Sequence, residues 1–282
     1  MVVFLKVKIN FGLMLAPFLV LPAGVASANP HTLPFTYPNE TLPKGSFEAE
    51  LYTDVNPLKV QADEKDPSQG TIWNPDYAMT IEAEYGLSDR WELGLYTVFE
   101  APPLPGGDNQ FMFDGLKWRV RTRFAEPGQL PVDVGLYFEL ETMHDEISLE
   151  EKLNLQRRFG FVTWMANLWV EQSLVRPFDS KAQGRSLHFI INPTTGFSFQ
   201  ATPSVHPGIE FWARGEPVPN ADNALDKYND GMHYFLGPAL NLNFGQFWWS
   251  IAAYKHLNKL GAPNVGEEWG PLWFRTMIGV QI

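Results

Sequence analysis

Residues 116–124 read Leu-Lys-Trp-Arg-Val-Arg-Thr-Arg-Phe. A period of two this strict belongs to a strand, whose successive side chains point to opposite faces. Leu116, Trp118, Val120, Thr122 and Phe124 share one face, and Lys117, Arg119, Arg121 and Arg123 share the other. Residues 132–141 repeat the pattern with the opposite charge: Val132, Val134, Leu136, Phe138 and Leu140 alternate with Asp133, Tyr137, Glu139 and Glu141. Joined through residues 125–130, the two strands set cations against carboxylates. Two folds accept such a hairpin. A soluble sandwich turns the apolar side to a core and the charges to water. A transmembrane barrel does the reverse, with the apolar side on lipid and the charges in an enclosed, wet lumen.

The beginning of the chain favours the barrel. Lys6 and Lys8 precede an apolar run over residues 11–25, and Ala26-Ser27-Ala28 has the small-x-small form of a cleavage site. Residues 1–28 therefore read as a signal peptide, with a mature chain starting at Asn29. The run is short for a membrane anchor and holds Pro17 and Pro22. The chain has no Cys, which excludes a lipoprotein anchor, disulfides and thiolate metal sites. No later run approaches the ~20 apolar residues of a transmembrane helix. Aromatics make up 14% of the chain, ten of them Trp, and charged residues only 19%. Trp and Tyr gather where bilayers meet water. The net charge of −11 argues against nucleic-acid binding, which requires a basic surface.

Pro30, Pro34, Pro38 and Pro43 make residues 29–44 an extended lead-in, placed in the periplasm. From residue 45 the alternation predicts twelve strands, at about 47–55, 77–85, 91–99, 116–124, 132–141, 149–158, 162–173, 187–200, 204–214, 232–244, 247–256 and 270–282. Their connections alternate long and short throughout. Outer-membrane barrels have this property, with short periplasmic turns, long outside loops and an even strand count. The expected fold is all-β, a twelve-stranded antiparallel transmembrane barrel over residues 45–282, with both termini in the periplasm. Such barrels usually end on an aromatic residue, whereas this chain ends on Ile282.

Three stretches carry a resemblance. Leu42-Pro43-Lys44-Gly45 precedes the first strand, Glu84-Tyr85-Gly86-Leu87-Ser88-Asp89-Arg90 makes the first turn, and Leu236-Gly237-Pro238-Ala239-Leu240 lies late in the chain. On these the chain resembles, along most of its mature length, a broad family of proteobacterial outer-membrane barrels labelled transporter-like or by the meta-pathway of phenol degradation. The shared motifs are turn and packing signatures. The resemblance implies an outer-membrane channel or transporter and says little about the solute.

No motif for nucleophilic catalysis, a zinc protease or a phosphate loop is present. Ser186 and His188 share a strand face, but a loop-to-strand junction explains them better than a lipid hydrolase does. His206, His233 and His256 have lumen parity, with His206 near a periplasmic turn and the other two near the outer rim. Together with His188 the outer pair reads as scattered rim histidines rather than a metal site. No cofactor is expected. The lumen charges are the main functional signal. Glu48, Glu50, Glu82, Glu84, Glu92 and Glu100 come from the first three strands and the cations from the fourth. Lys117, Arg119, Arg121 and Arg123 are expected to pair with Asp133, Glu139 or Glu141 on one side and Glu92 on the other. Arg275, on the closing strand, is expected to meet Glu50. Trp118, Leu136, Phe138 and Ile278 are expected to face lipid. The function this implies is a channel or transporter for small solutes with a charged lumen, exported to the bacterial outer membrane. Its partners would be the lipid bilayer and an unidentified solute; the sequence does not set an oligomeric state. A structural barrel with a plugged lumen and an outer-membrane lipid hydrolase are the alternatives.

Overall fold

The period of two builds a closed sheet. The computed structural model describes residues 30–107, 109–144, 146–175, 186–216, 231–258 and 269–282; the expected signal peptide lies outside them. The barrel strands are β1 (Phe47–Asn56), β2 (Asp76–Ser88), β3 (Trp91–Ala101), β4 (Met112–Arg123), β5 (Asp133–Met143) and β6 (Glu146–Phe159). They continue as β7 (Val162–Val175), β8 (Ser186–Ile191 with Thr194–Phe199), β9 (Val205–Gly215), β10 (Met232–Asn243), β11 (Phe247–His256) and β12 (Leu272–Gln281). Each pairs antiparallel with its sequence neighbours, and β1 closes on β12 from Glu48↔Gln281 to Val55↔Phe274. Closure leaves no sheet edge with unpaired backbone groups, a requirement for strands that cross hydrocarbon.

Pro193 interrupts β8 without shifting it. Ile191 pairs with Val170 and Thr194 with Asn167, which is one continuous register, and the Pro193 carbonyl still accepts from Ala213 N at 3.0 Å. The predicted single strand over 187–200 therefore stands, with a proline-sized gap in its ladder. The short turns use Gly160 (φ 61°) and Gly245 (φ 83°), a left-handed backbone that glycine adopts without penalty. At the opposite, long-loop end, Lys59–Gln61 and Thr71–Trp73 form a small separate hairpin. Asn74 Nδ2 ties its base to the Leu104 carbonyl at 2.8 Å. Barrels of this kind place short turns in the periplasm, and both described ends of the chain lie on that side, where Ile282 N donates to the Phe47 carbonyl.

The faces are inverted relative to a soluble protein. Trp118 and Phe138 are each 44% exposed, whereas Arg119 is 1% and Glu139 3% exposed. Leu95, Leu140, Leu168, Ile209 and Ile251 also lie open on the outside. An apolar exterior of this extent is stable only against lipid. Sequence parity fails at Glu100. A register shift between Val98 and Phe99 leaves Ala101 buried and Glu100 exposed at the outer end of β3.

The largest departure concerns the proline-rich lead-in. Residues 30–43 do not remain outside the barrel. His31, Leu33, Phe35, Tyr37, Asn39 and Leu42 are buried against inward-facing side chains of the wall. Composition had suggested only an extended chain; it contained no sign that the lumen would hold it.

Phe138→Arg places a charge on the outward face of β5, within the lipid-facing band. It should cost roughly 2–4 kcal/mol of folding free energy, measured by urea titration in vesicles, whereas an unchanged stability would refute the inverted faces.

Candidate functional site

The inserted segment enters and leaves on the short-turn side. Pro30 and Thr32 line a cavity there together with Gly128, Pro203 and His206. The chain rises to Pro34 and Phe35, beside Arg275 and Tyr254 in the outer half of their strands. It returns past Tyr37 and Asn39 to Lys44, whose N–H donates to Asp89 Oδ1 in the first short turn at 3.0 Å. It has no strand partner, so wall side chains satisfy its backbone. Phe35 N donates to Glu210 Oε1 at 3.0 Å, Tyr37 N to Asn167 Oδ1 at 2.7 Å, Asn39 N to Gln156 Oε1 at 2.9 Å and Leu42 N to Glu92 Oε2 at 2.7 Å. Asn167 also returns Nδ2 to the Tyr37 carbonyl at 3.1 Å, so its amide copies one rung of a ladder. Proline has no N–H, so each of the four removes one donor that burial would strand. Side-chain-to-backbone bonds of this kind contribute about 0.5–1.5 kcal/mol each.

Glycines in the wall make room. A Cβ on Gly196 or Gly208 would lie 2.7 or 2.8 Å from the Leu33 side chain, and one on Gly86 would strike the Pro43 carbonyl at 2.0 Å. Phe35 stacks on Trp212 with centroids 4.4 Å apart, and the Arg275 guanidinium lies 3.7 Å from its ring centre. Tyr37 helps cage Lys152, whose Nζ sits 4.2 Å from Tyr37, 3.9 Å from Tyr137 and 3.7 Å from Trp169 ring centres. Cations over aromatic faces are stabilised most where water is excluded.

The lumen divides by chemistry. β1–β6 supply most of its charge. Arg119 reaches Glu82 at 2.7 Å, Glu84 at 2.5 Å and also Glu92, while Arg121 holds Glu92 at 2.8 Å. Backbone register sets Arg119 opposite both Glu139 and Gly94. Its side chain turns toward Gly94, where even a Cβ would lie 2.8 Å from Nε. Lys117 takes the β5 carboxylates instead, Glu141 at 3.0 Å and Glu139 at 3.5 Å. Arg123 bonds Thr41 Oγ1 of the inserted segment at 3.1 Å and Glu126 at 2.6 Å.

Two expected pairings are corrected. Arg275 meets Asp54, through Nε and Nη2 at 2.8 Å each, and not Glu50, because closure sets Asp54 opposite Arg275 and Glu50 opposite Gly279. Asp133 joins no cation of the ladder. Arg123 pairs in register with Gly135, two residues on, and Asp133 accepts from Gly128 N in the turn that precedes it at 2.8 Å. The Glu50 carboxylate accepts from Tyr52, which also bonds Glu82.

The other half, β9–β12, is aromatic inside. Trp212 stacks on Phe235 at 4.0 Å, and Tyr254, Trp269 and Trp273 extend the cluster. His233 and His256 meet at 3.1 Å within it, and His188 Nδ1 lies 2.9 Å from Glu216 Oε1. The Ser186 side chain lies outside the described residues. His206 stays apart at the periplasmic end, beside the Pro203 carbonyl. Between the inserted segment and the short-turn rim a cavity of 630 Å³ remains, with Asp133, Arg157, Arg158 and Asn243 in its lining.

Sequence reasoning missed Glu150, Lys152, Asn154, Asn167, Glu171 and Glu210, all buried in the lumen wall. Parity could have found them, since Glu150, Lys152, Asn154 and Gln156 alternate along β6. The role of His31, Phe35 and Tyr37 had no local signal.

Arg119→Met would leave Glu82 and Glu84 facing each other without their cation, and Glu92 with Arg121 alone. Loss of one partner from a buried ionic group costs about 3–5 kcal/mol. Combining it with Glu82→Gln and Glu84→Gln should recover more than half of that loss, read from tryptophan fluorescence during urea unfolding.

No protein-family model matches the chain, and no curated protein sequence does. Solved structures do. The barrel is similar to the NanC porin at TM-score 0.53 and 6% identity, over 82% of this chain and 100% of that one. It is similar to an outer-membrane channel from Pseudomonas putida F1 at TM-score 0.57 and 11% identity, over 86% and 98%. At such identities the likeness is one of fold, and the fold is that of porin-like outer-membrane β-barrels.

Proposed function

We propose that this protein is a passive channel for small solutes in the bacterial outer membrane, closed by its own residues 30–43 and opened when that segment withdraws toward the periplasm. The observation that carries this reading is what fills the lumen. A structural barrel can pack its interior with wall side chains. Here a separate length of chain fills it, held by individual hydrogen bonds to Glu210, Asn167, Gln156 and Glu92. Both of its ends lie on the short-turn side, so it can leave as a loop without threading the barrel. Of the charged side chains near it, Glu40 is half-buried and accepts from Gln156 Nε2 at 2.6 Å, and Lys44 is exposed.

Withdrawal would uncover a polar wall on β1–β6 and an aromatic wall on β9–β12. Ion passage over the polar side favours cations, because Glu48, Glu50, Glu82, Glu84, Glu92, Glu139, Glu141 and Glu150 outnumber Lys117, Arg119, Arg121, Arg123 and Lys152 there. The aromatic side suits solutes with a planar apolar part. That agrees with the resemblance to barrels labelled by the phenol-degradation meta-pathway, the finer family reading we favour. Export through a cleaved signal and a non-enzymatic role belong to the same reading.

The experiment is a bilayer recording in asymmetric potassium chloride. The intact protein should give rare, small openings. A variant lacking residues 31–42 should give a larger, sustained and cation-preferring conductance. Glu210→Ala, which removes the acceptor for Phe35 N and Thr36 Oγ1, should raise the open fraction without changing the open level. If the truncated barrel folds and conducts nothing, the structural-barrel reading replaces the channel.

A further inference from the structure

Within the inserted segment, facing β1 and β2, lies a buried imidazole. His31 is 1% exposed, and neither of its ring nitrogens makes a hydrogen bond. Burying an imidazole without a partner is unfavourable, and the position is not loosely held. The ring stacks against Trp248 at 5.7 Å with planes 5° apart and meets the Tyr37 edge at 4.9 Å. Its Nε2 lies 4.0 Å from Glu50 Oε1, itself buried and without a hydrogen-bond partner. Glu84 completes a group whose three donor atoms all lie within 4.8 Å of one another.

We propose that His31, Glu50 and Glu84 bind a divalent first-row transition-metal ion, which fastens the inserted segment to β1 and β2. Three features support this. Metal–nitrogen and metal–oxygen bonds of about 2.0–2.2 Å set ligand atoms roughly 3–4 Å apart, so a small inward adjustment of side chains closes the site. The donor set of one imidazole and two carboxylates suits zinc and its neighbours, while calcium and magnesium take oxygen ligands. Charge also favours a cation: Glu50, Glu82, Glu84 and Glu92 are buried together with the Arg119 and Arg121 guanidiniums, four carboxylates to two cations. Arg119 Nη2 already occupies one Glu84 oxygen at 2.5 Å, so Glu84 would bridge guanidinium and metal.

The second acidic group in the lumen marks the contrast. Glu139, Glu141 and Glu150 also lie close together. There Lys117 Nζ is 3.0 Å from Glu141 and Lys152 Nζ 2.6 Å from Glu150. Ammonium groups already stand where a metal would, and among the described residues no imidazole joins that group.

The test uses the full chain purified from outer membranes in detergent and stripped of metal, titrated with Zn²⁺ by calorimetry. One ion per chain and a higher unfolding temperature are expected. His31→Gln and Glu50→Gln should each abolish that binding while keeping the heat-modifiable gel migration of a folded barrel; Glu141→Gln should leave it intact. Cu²⁺ on the wild-type chain provides a readout free of substitutions, with electron spin resonance showing coupling to one imidazole nitrogen. The absence of stoichiometric binding would overturn the proposal. So would binding that survives both His31→Gln and Glu50→Gln, or coupling to two nitrogens, which would place the ion at His233 and His256. The result is independent of conductance, so the channel reading and the metal site can fail separately.

Discussion

Twelve strands set the width of this barrel, and the width sets the problem that the rest of the structure solves. Eight strands enclose a space that wall side chains can fill, and sixteen to eighteen leave an aqueous channel. Twelve lie between. The interior must hold water, very large side chains or additional chain, and this protein uses the last two. Trp212, Phe235, Tyr254 and Trp248 project inward from β9–β11, and residues 30–43 occupy what they leave. The wall is shaped for that occupant. Gly86, Gly196 and Gly208 lie where the segment passes closest, and Asn167 presents both halves of its amide to one peptide unit.

The charged half follows from the same enclosure. A guanidinium as deeply buried as that of Arg119 must be compensated on every side, and three glutamates from two strands do this. They reach it because Gly94 carries no side chain. The arrangement ties the neighbouring strands β2, β3 and β4 together along the inner wall and keeps the carboxylates near the inserted segment, where Leu42 N bonds Glu92. Moving the segment would therefore disturb the ion network locally while leaving the closed ladder of the wall intact. A rigid wall with a separately held occupant is the arrangement a gate requires.

Much of this was legible along the chain, for a physical reason. Strand parity is local: Lys117, Arg119, Arg121 and Arg123 share a face whatever surrounds them, and lipid demands the apolar partners Trp118 and Phe138 on the other. Alternating loop lengths then fixed the strand count. Parity loses its hold where register shifts, as at Glu100 beyond the irregularity at Val98, and where two partners compete for one side chain. Arg119 stands between Glu139 and Gly94 in register, and three-dimensional space at Gly94 made the choice. Arg275 found Asp54 because closure joins the first and last strands at a register that neither strand encodes alone.

The amino-acid sequence by itself determined an inverted, twelve-stranded β-barrel, because a period of two and the solvent on each side suffice to specify it. Only the tertiary structure decided what the barrel contains. The segment from Pro30 to Pro43 bears the marks of an extended chain, and nothing within it states where that chain lies. Its place depends on Glu210, Asn167, Gln156 and Arg275, which stand more than a hundred residues away. Contacts at that separation arise only once the sheet has closed and brought its wall around a space of a particular width.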